Sequence, residues 1–288
     1  MTRRLLTWGL AALALAAAGC GDSEDPAEPA GARTAAAKRS SAEAIRQAVV
    51  QVEGVHTDRR TSATGVIFEA SQGLALTANH PLEDARTILV TQPDGTLMNG
   101  RLVARAQCHD LAVIKLRPRP HGVRALRFGD SAAVRPGDPI TTLAFQLQAA
   151  EGDAPAMTNV RGSVAAVGVR ETFAPLPPMR PLIAHQSPLT PAASGSPLLN
   201  ARGEIVGVNT LVKHPRESGL EGVEYALTSR YIRTRLSQLR PGKGGALGGW
   251  QSDHDRCHHR LGQLAAGGHI DDEGGKGSGA ASKGGGHP

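Results

Sequence analysis

Short runs of Val, Ile, Leu and Thr alternate with turn residues from about Thr64 onward. In the first half they are TGVIF, GLALT, TILVT, TLMNGRLVARA and LAVIKL, which read as half-buried strands. TILVT and the long run that follows are joined by QPDG, a good turn sequence, and the long run is expected to bend into two strands. RPRPHGV at 117–123 carries prolines at alternate positions, which a central strand does not tolerate, so it separates two halves. The second half repeats the pattern with ALRF, DPITTLAF, MTNVRGSVAAVGVR, PLIAHQ, SPLLN, EIVGVNTLV and VEYAL. SPLLNARGEIVGV predicts a hairpin turning at Ala201-Arg202-Gly203. A short amphipathic helix is predicted over SAEAIRQAVVQVEGV, with Ser41 as N-cap. SRYIRTRLSQL, with Tyr231, Ile232, Leu236 and Leu239 near one stripe, predicts a closing helix at 229–239. About six strands on each side of a proline linker predict an all-β chain of two barrels in tandem.

The composition restricts what such barrels contain. Aromatic residues are 3% of the chain, so the core must be built from Val, Leu, Ile and Ala. The net charge is +6, of which Arg3 and Arg4 supply two, and there is no dense basic run with interleaved aromatics. Nucleic acid is therefore not an expected partner.

The ends read differently from the middle. Arg3 and Arg4 precede LLTWGLAALALAAAG, an apolar stretch short for a membrane span, and Ala17-Ala18-Gly19-Cys20 follows the pattern of a bacterial lipobox. Residues 1–20 are read as a lipoprotein-type signal peptide with Cys20 lipidated, placing the protein at a membrane surface outside the cytoplasm. Ordinary cleavage and secretion is the alternative. Residues 21–41 form a polar, Pro- and Ala-rich linker, and 241–288 a Gly- and His-rich tail without core-forming content. With Cys20 lipidated, Cys108 and Cys257 remain as a candidate disulfide pair; two unrelated thiols are the alternative. His254, Cys257 and His258 offer spacing for zinc or copper, but the favoured reading is a tail that binds no metal.

Three polar residues stand at strand ends: His80 after LTANH, Asp110 before LAVIKL, and Ser194 in PAASGSPLLN. Taken singly, each reads as a loop or turn residue. Together they supply what acyl transfer needs. A serine hydroxyl is a weak nucleophile without a base, imidazole has a suitable pKa, and a carboxylate fixes the imidazole tautomer. The order His, Asp, Ser is that of chymotrypsin-like enzymes.

The stretches SATGVIFEASQGLALTANH, RLVARAQCHDLAVIKL, LRFGDSAAVRPGDPI, PAASGSPLLNARGEIVGVNT and GVEYALTSRYI, from about 45 to 240, resemble a trypsin-like serine protease of the HtrA/Deg type. The resemblance implies two six-stranded antiparallel β-barrels: one at about 42–116, the other at about 124–228, in a protease domain of 42–240. It implies His80 as general base, Asp110 as orienting acid and Ser194 as nucleophile, acting on polypeptides without a cofactor or metal. By position, the N–H groups of Ala192 and Ser194 form the oxyanion hole, and Pro188, Asn209, Thr210 and Leu211 line the substrate cleft. Two departures stand out. The nucleophile motif has Ala192 and Ser196 where the family has glycines, and Pro81 follows the histidine. The tail has no sequence for the PDZ module of such proteins. Uncharged Pro188 predicts a small or aliphatic residue before the scissile bond. A pseudoprotease that only binds peptides or partners is the alternative to an active enzyme.

Overall fold

The computed structural model describes residues 41–146, 156–171, 179–210 and 222–237. All of them fall in one unit.

A helix α1 (residues 41–47) opens the described chain. It is shorter than expected, because VVQVEGV is not its continuation but strand β1 (Val49–Val55). Two adjacent valines and an alternating buried pattern favour the pleat over the helix there. Strands β2 (Arg60–Glu69), β3 (Leu74–Thr77), β4 (Thr87–Thr91), β5 (Leu97–Ala106) and β6 (Leu111–Arg117) follow, and the six close in the order β1-β2-β3-β6-β5-β4. The long run of the first half does not divide. It stays one strand, β5, with a bulge against β6 at Leu102/Ala104 that lets it curve around the barrel. The sixth strand is β1 instead. The QPDG turn forms as expected: Gly95 N–H donates to Gln92 O at 2.9 Å and Gly95 takes φ 86°, where glycine carries no Cβ penalty.

The second barrel contains β7 (Pro139–Gln146), β8 (Ala156–Glu171), β9 (Met179–Gln186), β10 (Pro197–Leu199), β11 (Ile205–Asn209) and β12 (Glu224–Thr228), closed as β10-β11-β12-β9-β8-β7. All pairings are antiparallel in both barrels. ALRF is not a strand of either. It straps them together: Leu126 N–H donates to Ile67 O in the first barrel, and Arg127 O accepts from Ile205 N–H in the second. Helix α2 (Ser229–Ser237) ends the described chain and buries Ile232. Its Tyr231 ring meets His109 of the first barrel edge-on at 5.1 Å. One apolar cluster runs from Val50, Leu76 and Ile114 through Leu143 and Phe145 to Leu227 and Ile232, so the barrels share a core.

Candidate active site

The site lies where both barrels contribute loops. At the end of β3, Thr77 leads through Ala78 and Asn79 to a single 3-10 turn, His80–Leu82. Pro81 is the second residue of that turn, where the missing N–H breaks no ladder bond. Its carbonyl instead accepts from the Thr61 hydroxyl. Another 3-10 turn, Gln107–His109, ends on Asp110 in a left-handed conformation with φ 47° and ψ 45°. Aspartate tolerates that region better than most residues. The bend aims the carboxylate back at the His80 loop. Oδ1 accepts from the N–H groups of Asn79 at 3.0 Å and His80 at 2.7 Å. Oδ2 accepts from His80 Nδ1 at 2.9 Å and Thr210 Oγ1 at 2.8 Å. The carboxylate is buried, with four donors.

With Nδ1–H committed to Asp110, the Nε2 of His80 carries the lone pair, the tautomer a general base needs. Burial pulls the His80 pKa down, but the charge and hydrogen bond of Asp110, with the Glu83 charge behind them, raise it above its ordinary 6.5. The side chain stays 38% exposed, so the ring is reachable.

Ser194 follows a 3-10 turn, Pro191–Ala193, and is buried. Its carbonyl accepts from Thr64 N–H of β2 at 2.9 Å. The next residue, Gly195, packs so tightly that a Cβ there would overlap Thr64 O and lie 2.6 Å from Ala78 N. Its φ of 88° also demands glycine. The serine loop is thus pressed onto the strand end that delivers His80. Thr64 is the connecting residue, which the strand pattern alone does not single out. Its hydroxyl donates to Ala192 O at 2.9 Å and accepts from Phe145 N–H of β7 at 2.9 Å. Its carbonyl accepts from Thr77 Oγ1 at 2.8 Å. A polar residue within the apolar run TGVIF was the available signal.

Ala192 sits at negative φ inside the turn, since Asp84 and Asp110 are the positive-φ non-glycine residues among those described. Ala193 N–H donates to Thr190 O at 2.8 Å, and Ser194 N–H to Pro191 O at 3.0 Å. One of the two expected oxyanion donors is therefore engaged within the loop.

Asn209 clamps the residues after the nucleophile. Its carbonyl accepts from Gly195 N–H at 2.8 Å and its N–H donates to Ser196 O at 2.9 Å. Its Nδ2 donates to Ser196 Oγ at 2.9 Å, and Oδ1 accepts from His185 Nε2 at 2.7 Å. Ser196, standing where the family has a glycine, supplies an acceptor to this network. Pro188 is exposed at the start of the loop leading to Ser194, and Thr210 is buried against Asp110. Leu211, Cys20, Cys257 and the tail histidines lie outside the described residues. Cys108 is disulfide-bonded. Among the described residues no cluster of three or more His, Cys, Asp or Glu side chains could hold a metal ion.

Two antiparallel six-stranded barrels with a His-Asp pair and a serine loop between them are the architecture of chymotrypsin-like proteases. The trypsin-like peptidase domain matches residues 63–208, and the chain belongs to that family. It is similar to the serine protease Do-like HtrA of Bacillus subtilis, 30% identical over 182 residues, covering 62% of this chain and 39% of that protein. A probable periplasmic serine protease do/HhoA-like of Haemophilus influenzae is 29% identical over 180 residues, 62% of this chain and 37% of that protein. The chain thus spans about two fifths of the length of these relatives. The solved HtrA-type protease AlgW with a tripeptide shares the fold, with a TM-score of 0.59 at 24% identity over 69% of this chain and 62% of that one.

Proposed function

We propose that the protein is a serine endopeptidase that hydrolyses peptide bonds of polypeptides outside the cytoplasm. The observation that carries this reading is the buried Asp110 carboxylate, which fixes the His80 ring through Nδ1 and leaves Nε2 as a base beside the serine loop. Ser194 Oγ attacks the scissile carbonyl carbon while its proton passes to His80 Nε2. The tetrahedral oxyanion is held by the N–H groups of Ala192 and Ser194. Its collapse breaks the C–N bond, and His80 returns the proton to the leaving amine. Water, deprotonated by the same ring, then attacks the acyl-enzyme, releasing the acid and restoring Ser194. The periplasmic description of the Haemophilus relative, with the signal-like N-terminus, supports export. Lipidation at Cys20 would hold the domain at a membrane surface, and a Cys108–Cys257 bridge would tie the tail beside Asp110. Envelope protein quality control is the role that fits such an enzyme.

A second reading, a peptide-binding pseudoprotease, is favoured by the engaged Ser194 N–H and by Ala192 in place of glycine. A fluorophosphonate probe separates the two. Labelling of the full-length protein that disappears in Ser194→Ala and rises with pH through a midpoint above 6.5, where His80 loses its proton, is the result expected of the enzyme. No labelling from about pH 6 to 9, the range in which imidazole becomes a free base, would leave the binder.

A further inference from the structure

Glu224 begins β12, and its register points its side chain into the second barrel. Ala226, two residues on, packs inside that barrel with Ile183, Val164 and Leu198, and side chains two apart share a face. Across the ladder, Glu224 pairs with His185 and Ala226 with Ile183. Asn209, paired with Ala226, faces the same interior. Glu224, His185 and Asn209 therefore meet at one end of the barrel. It is the end at which Asn209 holds Gly195 and Ser196 directly after the nucleophile.

The polar groups here are incompletely matched. Glu224 is half-buried and makes no hydrogen bond or ion pair among the described residues. His185 Nδ1 and Ser187 Oγ, two residues apart on one face, are both buried without a partner. Burial alone raises the Glu224 pKa to about 7. An unpaired carboxylate, at a barrel end where two further polar atoms lack partners, is costly unless something enters to meet it.

Toward the first barrel, the serine loop is closed by the contact of Gly195 with Thr64, Thr77 and Ala78. On the second-barrel side, Asn209 links Gly195 and Ser196 to the barrel end where His185 pairs with Glu224. Resting on the protease reading, we infer that Glu224, at this barrel end, is a specificity-determining residue, selecting a lysine or arginine before the scissile bond. This replaces the small or aliphatic preference expected from Pro188, which is exposed rather than directed into the barrel.

Two measurements on the full-length protein test it. The first needs no turnover: p-aminobenzamidine, a fluorescent mimic of an arginine side chain, binds saturably, and Glu224→Gln weakens binding by about tenfold or more. The second compares fluorogenic peptides differing only in lysine or norleucine before the cleaved bond. Wild type favours lysine in kcat/KM, and the lysine-to-norleucine ratio falls about tenfold in Glu224→Gln. Amidine binding that depends on Glu224, without peptide cleavage or fluorophosphonate labelling, sinks the enzyme reading and keeps this one. Absence of amidine binding, binding indifferent to Glu224→Gln, or cleavage without a lysine preference in wild type overturns the assignment.

Discussion

Ala192 occupies the third position of a hydrogen-bonded turn, Thr190-Pro191-Ala192-Ala193, closed by Ala193 N–H on Thr190 O at 2.8 Å. With Pro191 second and Ala192 at negative φ, this is the turn that most residues accept. Turning over the Pro191–Ala192 peptide would swing Pro191 O away from Ser194 N–H and bring Ala192 N–H inward, assembling both oxyanion donors. The same flip converts the turn to the type that needs positive φ at its third residue, where alanine is disfavoured by roughly 1–2 kcal/mol. Ala192→Gly removes that penalty. Its kcat/KM on a peptide substrate should exceed wild type by roughly tenfold, since 1.4 kcal/mol is a factor of ten. The Ser194 labelling rate should rise in parallel. Equal or lower rates would show that the loop turns by another route or that Ala192 is no brake.

At the scale of elements, one hydroxyl, that of Thr64, joins β2 to both the serine loop and β7. Thr64→Val keeps the side-chain shape but leaves Ala192 O and Phe145 N–H without their Thr64 partner in a buried place. Each buried orphan costs about 1–3 kcal/mol. Urea unfolding should therefore show a loss on the order of 2–4 kcal/mol, with Ser194 labelling slowed where the variant remains folded; a loss below about 1 kcal/mol would remove Thr64 from this role. Thr64 also illustrates what sequence patterning conveys. TILVT marked a strand by alternation, since one face of β4 is buried, whereas GLALT and LAVIKL marked strands as short apolar runs buried on both faces, and the proline linker marked the boundary between barrels. VVQVEGV was hidden, since a helix start and a strand run on without a breaker, and the β5 bulge looked like two strands because curvature leaves no sharp signature. His80 and Asp110 could be found because their chemistry needs a partner. The Thr64 bridge and the Glu224–His185 pairing join residues far apart in the chain, and register alone brings them together.

For the molecule as a whole, the open end of the second barrel shapes how stability varies with pH. His185 is fully buried, and burial lowers its pKa to about 4 despite its hydrogen bond to Asn209 Oδ1, which opposes the shift. Between pH 4 and 6.5 the unfolded chain holds more protons at this group, so its contribution is complete above 6.5 and is lost on acidification toward 4. The loss is about 3 kcal/mol at 1.36 kcal/mol per unit. Glu224 acts in the opposite sense. Its folded pKa is raised to about 7, so the native state holds the extra proton from the ordinary carboxylate range up to 7. Stability from this group is complete below about 4.5 and declines as pH rises through 7. Two further groups are raised: the Tyr225 hydroxyl, by burial and then by Glu171 and Glu224, and His80, despite burial, by Asp110 and Glu83. Both titrate above 6.5, leaving the pH 4.5–6.5 window to the opposed pair, whose slopes largely cancel in wild type. Glu224→Gln removes one of them. Urea unfolding from pH 4 to 8 should find the variant equal to wild type at pH 4 and increasingly more stable toward pH 8, with its own stability falling steeply below 6.5 as His185 charges. Destabilisation of Glu224→Gln at pH 8 would mean that the carboxylate is already satisfied within the fold. A gain there, coupled to lost discrimination for lysine, would identify Glu224 as a charge retained at the expense of stability because the substrate's cation completes it.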